Sequence, residues 1–225
     1  MDVLLWSLLT LAAYASSLLL YRRSGHHLLC LPVLTGTALV VAALLATATP
    51  YEVYAQATKA LRWLTGPAII ALAVPLYRQA RLLRQAAWPL IVALIVGCLT
   101  AIFSTSLLAH AFGAPREFML ALVSKSATMP IAMATTERVG GIPALAAMGV
   151  VATGVLGTLL TGQLLRTLRI SDPATRSFTL GLTAHAIGTA RVMQSHPETV
   201  AFAALAMSLN GVATALAVGV MQRWL

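Results

Sequence analysis

The chain has 225 residues, of which 59% are hydrophobic and only 9% carry a formal charge. Soluble domains contain about 25% charged residues, whereas apolar stretches of about 20 residues mark membrane spans. The composition therefore excludes a soluble globular domain and predicts an all-α polytopic membrane protein. The net charge of +9 does not require nucleic acid as a partner, because basic residues in short inner loops orient membrane spans.

Six apolar blocks are long enough, or nearly long enough, to cross a membrane. In chain order they are Val3–Leu20, Leu28–Ala46, Trp63–Tyr77, Trp88–Ala109, Ile142–Leu165 and Thr199–Met221. The third block is short, with Gly66 and Pro67 near its start and Pro75 near its end, so we expect breaks at these residues. We expect residues 1–225 to form one integral membrane domain.

Two further blocks are more polar than these six. They are Phe118–Thr136, interrupted by Ser124–Ser126 and Pro130, and Phe178–Met193, interrupted by Gly181, His185 and Gly188. With the N-terminus outside and both blocks re-entrant, nine basic residues fall on the inner side and five on the outer side. If both blocks cross, the count is seven on each side. Because basic residues accumulate on the inner side, re-entrant hairpins are favoured, and crossing as broken helices is the alternative.

Three short motifs predict where helices begin. Asp172 followed by Pro173 offers a capping side chain and a proline in the first turn. The segment Ser195–Glu198 has the S-x-x-E form of a capping box before the last span. The segment Gly140–Pro143 predicts a tight turn into another helix.

Acidic residues, histidines and cysteines are placed where they support neither catalysis nor metal binding. The six acids all fall at predicted span ends or in loops: Asp2, Glu52, Glu117, Glu137, Asp172 and Glu198. The five histidines show no HExxH pairing, and Cys30 and Cys98 show no metal-ligand spacing. The sequence therefore predicts no enzyme, no disulfide, no metal site and no cofactor.

The first polar cluster within an apolar block surrounds Lys125, one of two lysines in the chain. Helical spacing places Ser124 and Thr128 on one face, next to Lys125. Pro130 cannot donate a hydrogen bond to the carbonyl of Ser126, so a main-chain acceptor and several hydroxyl groups would be free to meet a ligand. The alternative is a lysine at a hairpin end that extends its ammonium group to the membrane interface.

The second cluster runs from His185 to Arg191. His185 and Thr189 lie one helical turn apart, and Gly188 allows another backbone to come close. The alternative is a structural histidine bonded to a carbonyl, with Arg191 acting as a topology marker.

Together, the two clusters indicate an anion site. A helix broken within the membrane presents unpaired N–H groups and the positive end of its dipole, and a nearby basic side chain adds full charge. Small carboxylates fit such a site. Asn210 in the final span offers a further hydrogen bond, with a packing role as the alternative.

Several motifs follow one another in order between about Pro50 and the C-terminal end. They are Gly66–Ala68 (GPA), Ala71–Tyr77 (ALAVPLY), Lys125–Ala132 (KSATMPIA), Gly140–Leu145 (GGIPAL), His185–Ala190 (HAIGTA) and Met207–Gly211 (MSLNG). This set resembles the LrgB/CidB family of antiholin-like membrane proteins, to which the YohK-type proteins belong.

The resemblance implies a multi-pass protein of the bacterial inner membrane that works with a small LrgA/CidA-type membrane partner. Older descriptions of the family speak of holin/antiholin-like control of murein hydrolase export and cell lysis. Other members carry glycolate and glycerate, and some bacterial pairs take up pyruvate.

We therefore hypothesise a secondary carrier of a small monocarboxylate that forms a homo- or hetero-oligomer in the lipid bilayer. The predicted substrate-binding residues are Lys125, Ser126, Thr128, His185, Thr189 and Asn210, with structural breaks at Gly66, Pro67, Pro75, Pro130 and Gly188. Coupling to protons would depend on His185, whereas sodium could be held by carbonyls at the helix breaks. The alternatives are a holin-like pore or regulator of lysis, and an accessory subunit that stabilises its partner.

Overall fold

The computed structural model describes residues 2–25, 27 and 30–222. Every secondary-structure element within these residues is helical, which confirms the predicted all-α class. The chain divides into two compact units, Met1–Ala73 and Val74–Leu225. The single domain expected from the sequence stays a prediction, and Leu28, the expected start of the second span, lies outside the described residues.

The first unit contains α1 (Asp2–Arg23), α2 (Pro32–Ala46), α3 (Tyr51–Ala57), α4 (Lys59–Trp63) and α5 (Thr65–Ala71). Helix α1 packs against α2 and α3. The rings of Trp6 and Tyr54 meet edge-on with their centroids 5.8 Å apart, and the hydroxyls of Thr10 and Tyr54 lie 3.2 Å apart. An aromatic contact and a side-chain hydrogen bond therefore fasten α1 to α3.

The remaining helices are α6 (Ala73–Arg78), α7 (Ala80–Gln85), α8 (Ala87–Ala111), α9 (Arg116–Val123), α10 (Met129–Arg138), α11 (Pro143–Thr167), α12 (Pro173–Ser195) and α13 (Val200–Met221). A 3₁₀ turn, Pro197–Thr199, precedes α13. In the described chain, four helical segments are long and apolar enough to cross a membrane: Val3–Arg23, Ala87–Ala111, Pro143–Thr167 and Pro197–Met221. Two of the six predicted spans differ, because the second is the shorter, 15-residue α2 and the third is divided among α4, α5 and α6.

The third predicted span is interrupted at Leu64 and Leu72. Gly66 and Pro67 lie in the first turn of α5, and Pro75 lies in the first turn of α6. Because proline has no N–H to donate, it fits the first turn of a helix, where that N–H would have no intrahelical acceptor. The interruptions therefore lie just before these residues, and each proline stands at the start of a new helix.

The first polar block forms a helical hairpin, which we call the first hairpin and define as Arg116–Arg138. Its two helices, α9 and α10, are joined by a break, across which the hydroxyls of Ser124 and Thr136 lie 2.8 Å apart. Further from the break, the chain just beyond the end of α10 lies close to α9. A Cβ atom placed on Gly141 there would be 3.1 Å from the backbone nitrogen of Ala121. The two helices are therefore antiparallel neighbours, which is the arrangement expected of a re-entrant segment.

Helix α12 also folds back on itself, and we call Pro173–Ser195 the second hairpin. Its backbone leaves the helical conformation at His185, where φ is 39° and ψ is −125°. A Cβ atom placed on Gly188 would lie 2.3 Å from the carbonyl oxygen of Leu180, although eight residues of continuous helix advance about 12 Å. Of the three expected interruptions, the one at His185 is confirmed, and those at Gly181 and Gly188 are wrong, because both glycines stay helical. The missing side chain of Gly188 lets the two arms meet.

The two hairpins extend from opposite ends of α13. At the C-terminal end of this helix, the guanidinium group of Arg116 donates a hydrogen bond to the carbonyl of Gln222 over 2.8 Å. At its N-terminal end, the hydroxyls of Ser177 and Thr199 lie 2.7 Å apart. Since Arg116 and Ser177 stand near the bases of their hairpins, the two tips approach each other beside the middle of α13.

The structure confirms all three predicted helix starts in position, including that of the last span at Pro197, but only two of the three motifs act as predicted. Asp172 caps α12 by accepting hydrogen bonds from the hydroxyl and the backbone N–H of Thr175, over 2.6 and 2.7 Å. These bonds hold the pKa of the Asp172 carboxyl below its ordinary value. Gly140, with a φ of +81°, makes the turn before Pro143. The capping box at Ser195 is wrong, because this residue ends α12 and its hydroxyl bonds back within that helix.

Candidate functional site

A cavity of about 390 Å³ lies in the second unit, where the two hairpin tips approach each other. Its walls come from α8, α11, α13 and both hairpins. The lining residues are Gly97, Ala101, Lys125, Ser126, Thr153, Leu156, Gly157, Leu160, Thr161, Leu182, Thr183 and Asn210. Lys125 is the one charged residue among them, so the cavity combines a single positive charge with hydroxyl, amide and apolar groups.

The structure brings three of the six predicted substrate-binding residues together at this cavity. These are Lys125, Ser126 and Asn210, which come from two distant parts of the chain. The other three, Thr128, His185 and Thr189, do not line it.

Lys125 lies in the break of the first hairpin and directs its ammonium group at α8. Its Nζ donates a hydrogen bond to the hydroxyl of Thr105 over 2.5 Å. The acidic side chains that the structure describes are all exposed, and none of them forms an ion pair with Lys125. A charge withdrawn from water without a counter-charge is costly, and an anion bound beside Lys125 would lower that cost.

Asn210 joins the two hairpins at the cavity wall. Its Nδ2 donates hydrogen bonds to the carbonyl of Ser126 in the first hairpin, over 2.9 Å, and to the carbonyl of Leu182 in the second, over 3.2 Å. The carbonyl of Ser126 lies in the break before α10, and Pro130, four residues later, has no N–H to donate to it. Asn210 is 1% exposed, and its Oδ1 has no hydrogen-bond partner among the described residues.

Thr128 and Pro130 shape the break of the first hairpin. Thr128 occupies the N-cap position of α10 in an extended conformation, and its hydroxyl makes no capping bond. Pro130 lies in the first turn of α10. The first N–H groups of α10 therefore lack intrahelical acceptors, and the positive end of its dipole is at the break.

His185 and Thr189 are buried within the second hairpin and its contacts. Nε2 of His185 lies 3.0 Å from the carbonyl oxygen of Val150 on α11, and the side chain is 2% exposed. Thr189 donates its hydroxyl proton to the carbonyl of His185 over 2.9 Å and lies 3.4 Å from the carbonyl oxygen of Ala203. These contacts agree with the structural alternative for this cluster, a histidine bonded to a carbonyl.

The positive φ of His185 is an unfavourable conformation for a residue with a Cβ atom, so neighbouring residues must hold it in place. The bond to Val150 is one such restraint. Another is close packing on α11, where a Cβ atom placed on Gly154 would lie 2.7 Å from Cε1 of His185. A side chain at Gly154 would therefore displace the imidazole ring of His185 or the end of the Ile187 side chain, whose Cδ1 lies 2.6 Å from the same Cβ position.

Four threonine hydroxyls at the site were not predicted from the sequence. Thr105 accepts the lysine hydrogen bond, and Thr153, Thr161 and Thr183 line the cavity. The hydroxyls of Thr161 and Thr183 lie 3.2 Å apart and connect α11 to the second hairpin. The sequence contained a pattern that indicates two of these threonines. Thr153, Gly157 and Thr161 recur every four residues and therefore share one face of α11.

The groups at the cavity are suited to holding an anion by one charge and several hydrogen bonds. Among the residues that the structure describes, no three His, Cys, Asp or Glu side chains come together as a metal site would require.

Comparison with known proteins adds the family to this geometry. The chain matches the LrgB-like family over residues 10–224. It is 34% identical to the uncharacterized protein YxaC of Bacillus subtilis (strain 168), over 91% of this chain and 89% of that protein. It is 29% identical to the antiholin-like protein LrgB of Bacillus cereus (strain B4264), over 93% of this chain and 91% of that protein. No solved structure matches the chain. Because the family match spans nearly the whole sequence, this polytopic membrane protein belongs to the LrgB-like family.

Proposed function

We propose that this protein is a secondary carrier that moves a small monocarboxylate, such as pyruvate, glycolate or glycerate, across the membrane. The observation that supports this function is the cavity at the two hairpin tips. Lys125 supplies one positive charge, and the hydroxyl groups of Ser126, Thr153 and Thr183 supply neutral hydrogen-bonding groups at the cavity. Asn210 shapes the wall, because both of its Nδ2 protons are already bonded to backbone carbonyls. A single charge surrounded by neutral polar groups suits a monoanion.

The arrangement of the hairpins also supports a carrier. The first hairpin is fastened at the C-terminal end of α13 and the second at its N-terminal end. In many carriers, interrupted helices meet at the substrate site near the membrane midplane, and access alternates when the surrounding elements move against each other. Opening of one hairpin would connect the cavity to one side of the membrane, and opening of the other would connect it to the opposite side.

The comparisons support a second function better than they support the carrier. One relative is named as an antiholin-like protein, and neither of the two relatives described above is named as a carrier. The second candidate is therefore an antiholin-like regulator of murein hydrolase export and cell lysis. A regulator or a pore does not require a cavity matched to the charge of one small solute, and the two functions make different predictions on this point.

The proposal includes a location and a partner. We place the protein in the bacterial inner membrane, in a homo- or hetero-oligomer with a small LrgA/CidA-like membrane protein. In this proposal it is not an enzyme, holds no resident cofactor and binds no nucleic acid. Movement of the substrate would be coupled to protons or to sodium.

Uptake of labelled pyruvate and glycolate into vesicles tests the carrier directly, with and without an LrgA-like partner. We expect the protein to take up at least one of the two acids. Lys125→Ala should lower the initial rate by about 10- to 100-fold, the effect of losing a hydrogen-bonded charge. Lys59→Ala is the matched control, because Lys59 is the other lysine, is exposed and does not line the cavity.

The two candidate functions separate in the same vesicles. Release of large entrapped solutes is expected of a pore and not of a carrier. The carrier proposal is abandoned if neither acid is taken up in any arm.

A further inference from the structure

The two hydrogen bonds of Asn210 fix the orientation of its side-chain amide. Nδ2 has two protons, and the carbonyls of Ser126 and Leu182 accept one each. If the amide were turned over, Oδ1 would face two carbonyl oxygens and be repelled by both. The donor end of the Asn210 side chain therefore faces the hairpins.

Both of these carbonyls lie at helix breaks. Ser126 is within the break of the first hairpin. In a continuous helix the carbonyl of Leu182 would accept a hydrogen bond from residue 186, which lies beyond the break at His185. A buried carbonyl without a partner is costly, and Asn210 supplies a partner to one carbonyl on each hairpin.

The two segments that Asn210 joins also line the cavity. Ser126 stands next to Lys125 on the first hairpin, and Leu182 stands next to Thr183 on the second. Because one short side chain is bonded to both segments at once, its length limits how far they can move apart.

We propose that Asn210 is a positioning residue that holds the two hairpin tips at a fixed spacing and so sets the width of the cavity beside Lys125. Without the two donors of Asn210, the tips separate and the cavity opens further to water. The effect on substrate rests on the proposed carrier function, whereas the spacing of the tips does not.

The reactivity of a thiol in the cavity wall measures this spacing. Thr153→Cys places a thiol on α11 of the full-length protein in lipid vesicles. The same protein carries Cys30→Ser, whereas Cys98 is kept because it is only 3% exposed. The probe is a small hydrophilic maleimide. Asn210→Leu keeps the approximate shape of the side chain but cannot donate, and we expect the thiol to react about tenfold faster, the factor that one buried hydrogen bond contributes to an equilibrium.

Two further variants keep the test decisive. Thr214→Val is the matched control, because Thr214 lies one turn further along α13, is 1% exposed and pairs with Cys98 of α8. We expect it to leave the thiol reaction rate within about twofold of the parent, the change expected from a bond outside the hairpins.

Asn210→Ser keeps one hydroxyl donor, and its thiol should react at a rate between those of the parent and Asn210→Leu. This variant decides the outcome if Asn210→Leu does not fold. Equal rates in the parent and the Asn210 variants overturn the proposal, and so does an equal increase in Thr214→Val.

Uptake measurements separate this proposal from the carrier proposal. In a working carrier, Asn210→Leu should raise KM by about tenfold, because the ligand loses contacts from one side of a widened cavity, and should change the maximal rate less. Faster thiol reaction in a protein that transports neither acid means that the carrier is wrong and the positioning role stands. Unchanged thiol reaction in a protein that transports normally means the reverse.

Discussion

The two hairpins have the same shape, but different causes interrupt their helices. In the first, the break covers Ser124–Thr128 and local sequence accounts for it, because polar residues occupy an apolar block and Pro130 lacks a donor. In the second, the break is confined to His185, and contacts with the distant residues Val150 and Ala203 account for it. The first tip carries the charge of the cavity, whereas the second tip is a packed wall.

The largest effect is expected where the second hairpin packs on α13. A Cβ atom placed on Gly181 would lie 2.1 Å from the carbonyl oxygen of Ala203. Gly181→Ala should therefore lower the free energy of unfolding by about 3 kcal/mol, measured by denaturation of the detergent-solubilised protein. Gly219→Ala is the control, because a Cβ atom there meets nothing within 4 Å. A fully stable Gly181→Ala protein would show that packing does not determine the second hairpin.

Substitution of His185 separates the two contributions to its break. His185→Ala loses the bond to Val150 and keeps the unfavourable φ of 39°, so we expect a loss of about 2 kcal/mol of stability. His185→Gly loses the same side chain but adopts positive φ freely, and its loss should be about 1 kcal/mol smaller. Thermal unfolding of the two variants gives the difference, and identical midpoints would mean that backbone strain has no part in the second break.

For the first hairpin, Pro130→Ala removes a residue that stops α10 from extending into the break, and in an extended helix the carbonyl of Ser126 would have a second donor besides Asn210. We expect a stability loss of only about 1 kcal/mol. When Thr153→Cys is added, its thiol should nevertheless react faster with the maleimide in Pro130→Ala than in Pro143→Ala. Pro143→Ala is the control, because Pro143 is also in the first turn of its helix. Equal thiol reactivity in the two variants would show that the first break does not depend on its proline.

The smallest effect is expected at the base of the second hairpin. Asp172→Ala removes a cap and should cost roughly 0.5–1 kcal/mol. Because the carboxyl has a lower pKa in the folded than in the unfolded protein, the stability from its ionised form is fully present above the unfolded pKa. That stability is lost as the pH falls through the folded pKa.

Asp172→Asn is the control for this pH dependence, because asparagine also caps a helix but does not titrate. The stability difference between wild type and Asp172→Asn should shrink between about pH 7 and about pH 3, a range that includes the carboxyl pKa. A difference that stays constant over this range would contradict the assignment of the cap.

The chemistry of single residues was sufficient to predict the first hairpin. Lys125 is a charge that an apolar span does not need, and Pro130 stands beside it, so the break and a residue that lines the cavity could both be predicted. Asn210 could be predicted as a hydrogen-bonding residue, but its two partners could not, because they lie 84 and 28 residues away in the chain.

At the second hairpin, the interruption near His185 could be predicted, but the contacts around it could not. The partner of His185, Val150, is distant in the chain, and local periodicity does not report such contacts. The threonines were missed for another reason. Thr105 and Thr183 also bond to the carbonyl one turn earlier, at Ala101 and Thr179, as threonines in ordinary membrane helices do. Their sequence context therefore does not distinguish them from packing residues.

The bond between Asn210 and Ser126 spans 84 residues of chain, and this separation delays assembly of the cavity in the cell. When the first hairpin enters the membrane, the carbonyl of Ser126 and the guanidinium group of Arg116 still lack their partners on α13. At synthesis rates of about 5–20 residues per second, Asn210 is added roughly 4–17 s after Ser126. A chain that ends before α13 therefore leaves the first hairpin without either of these bonds.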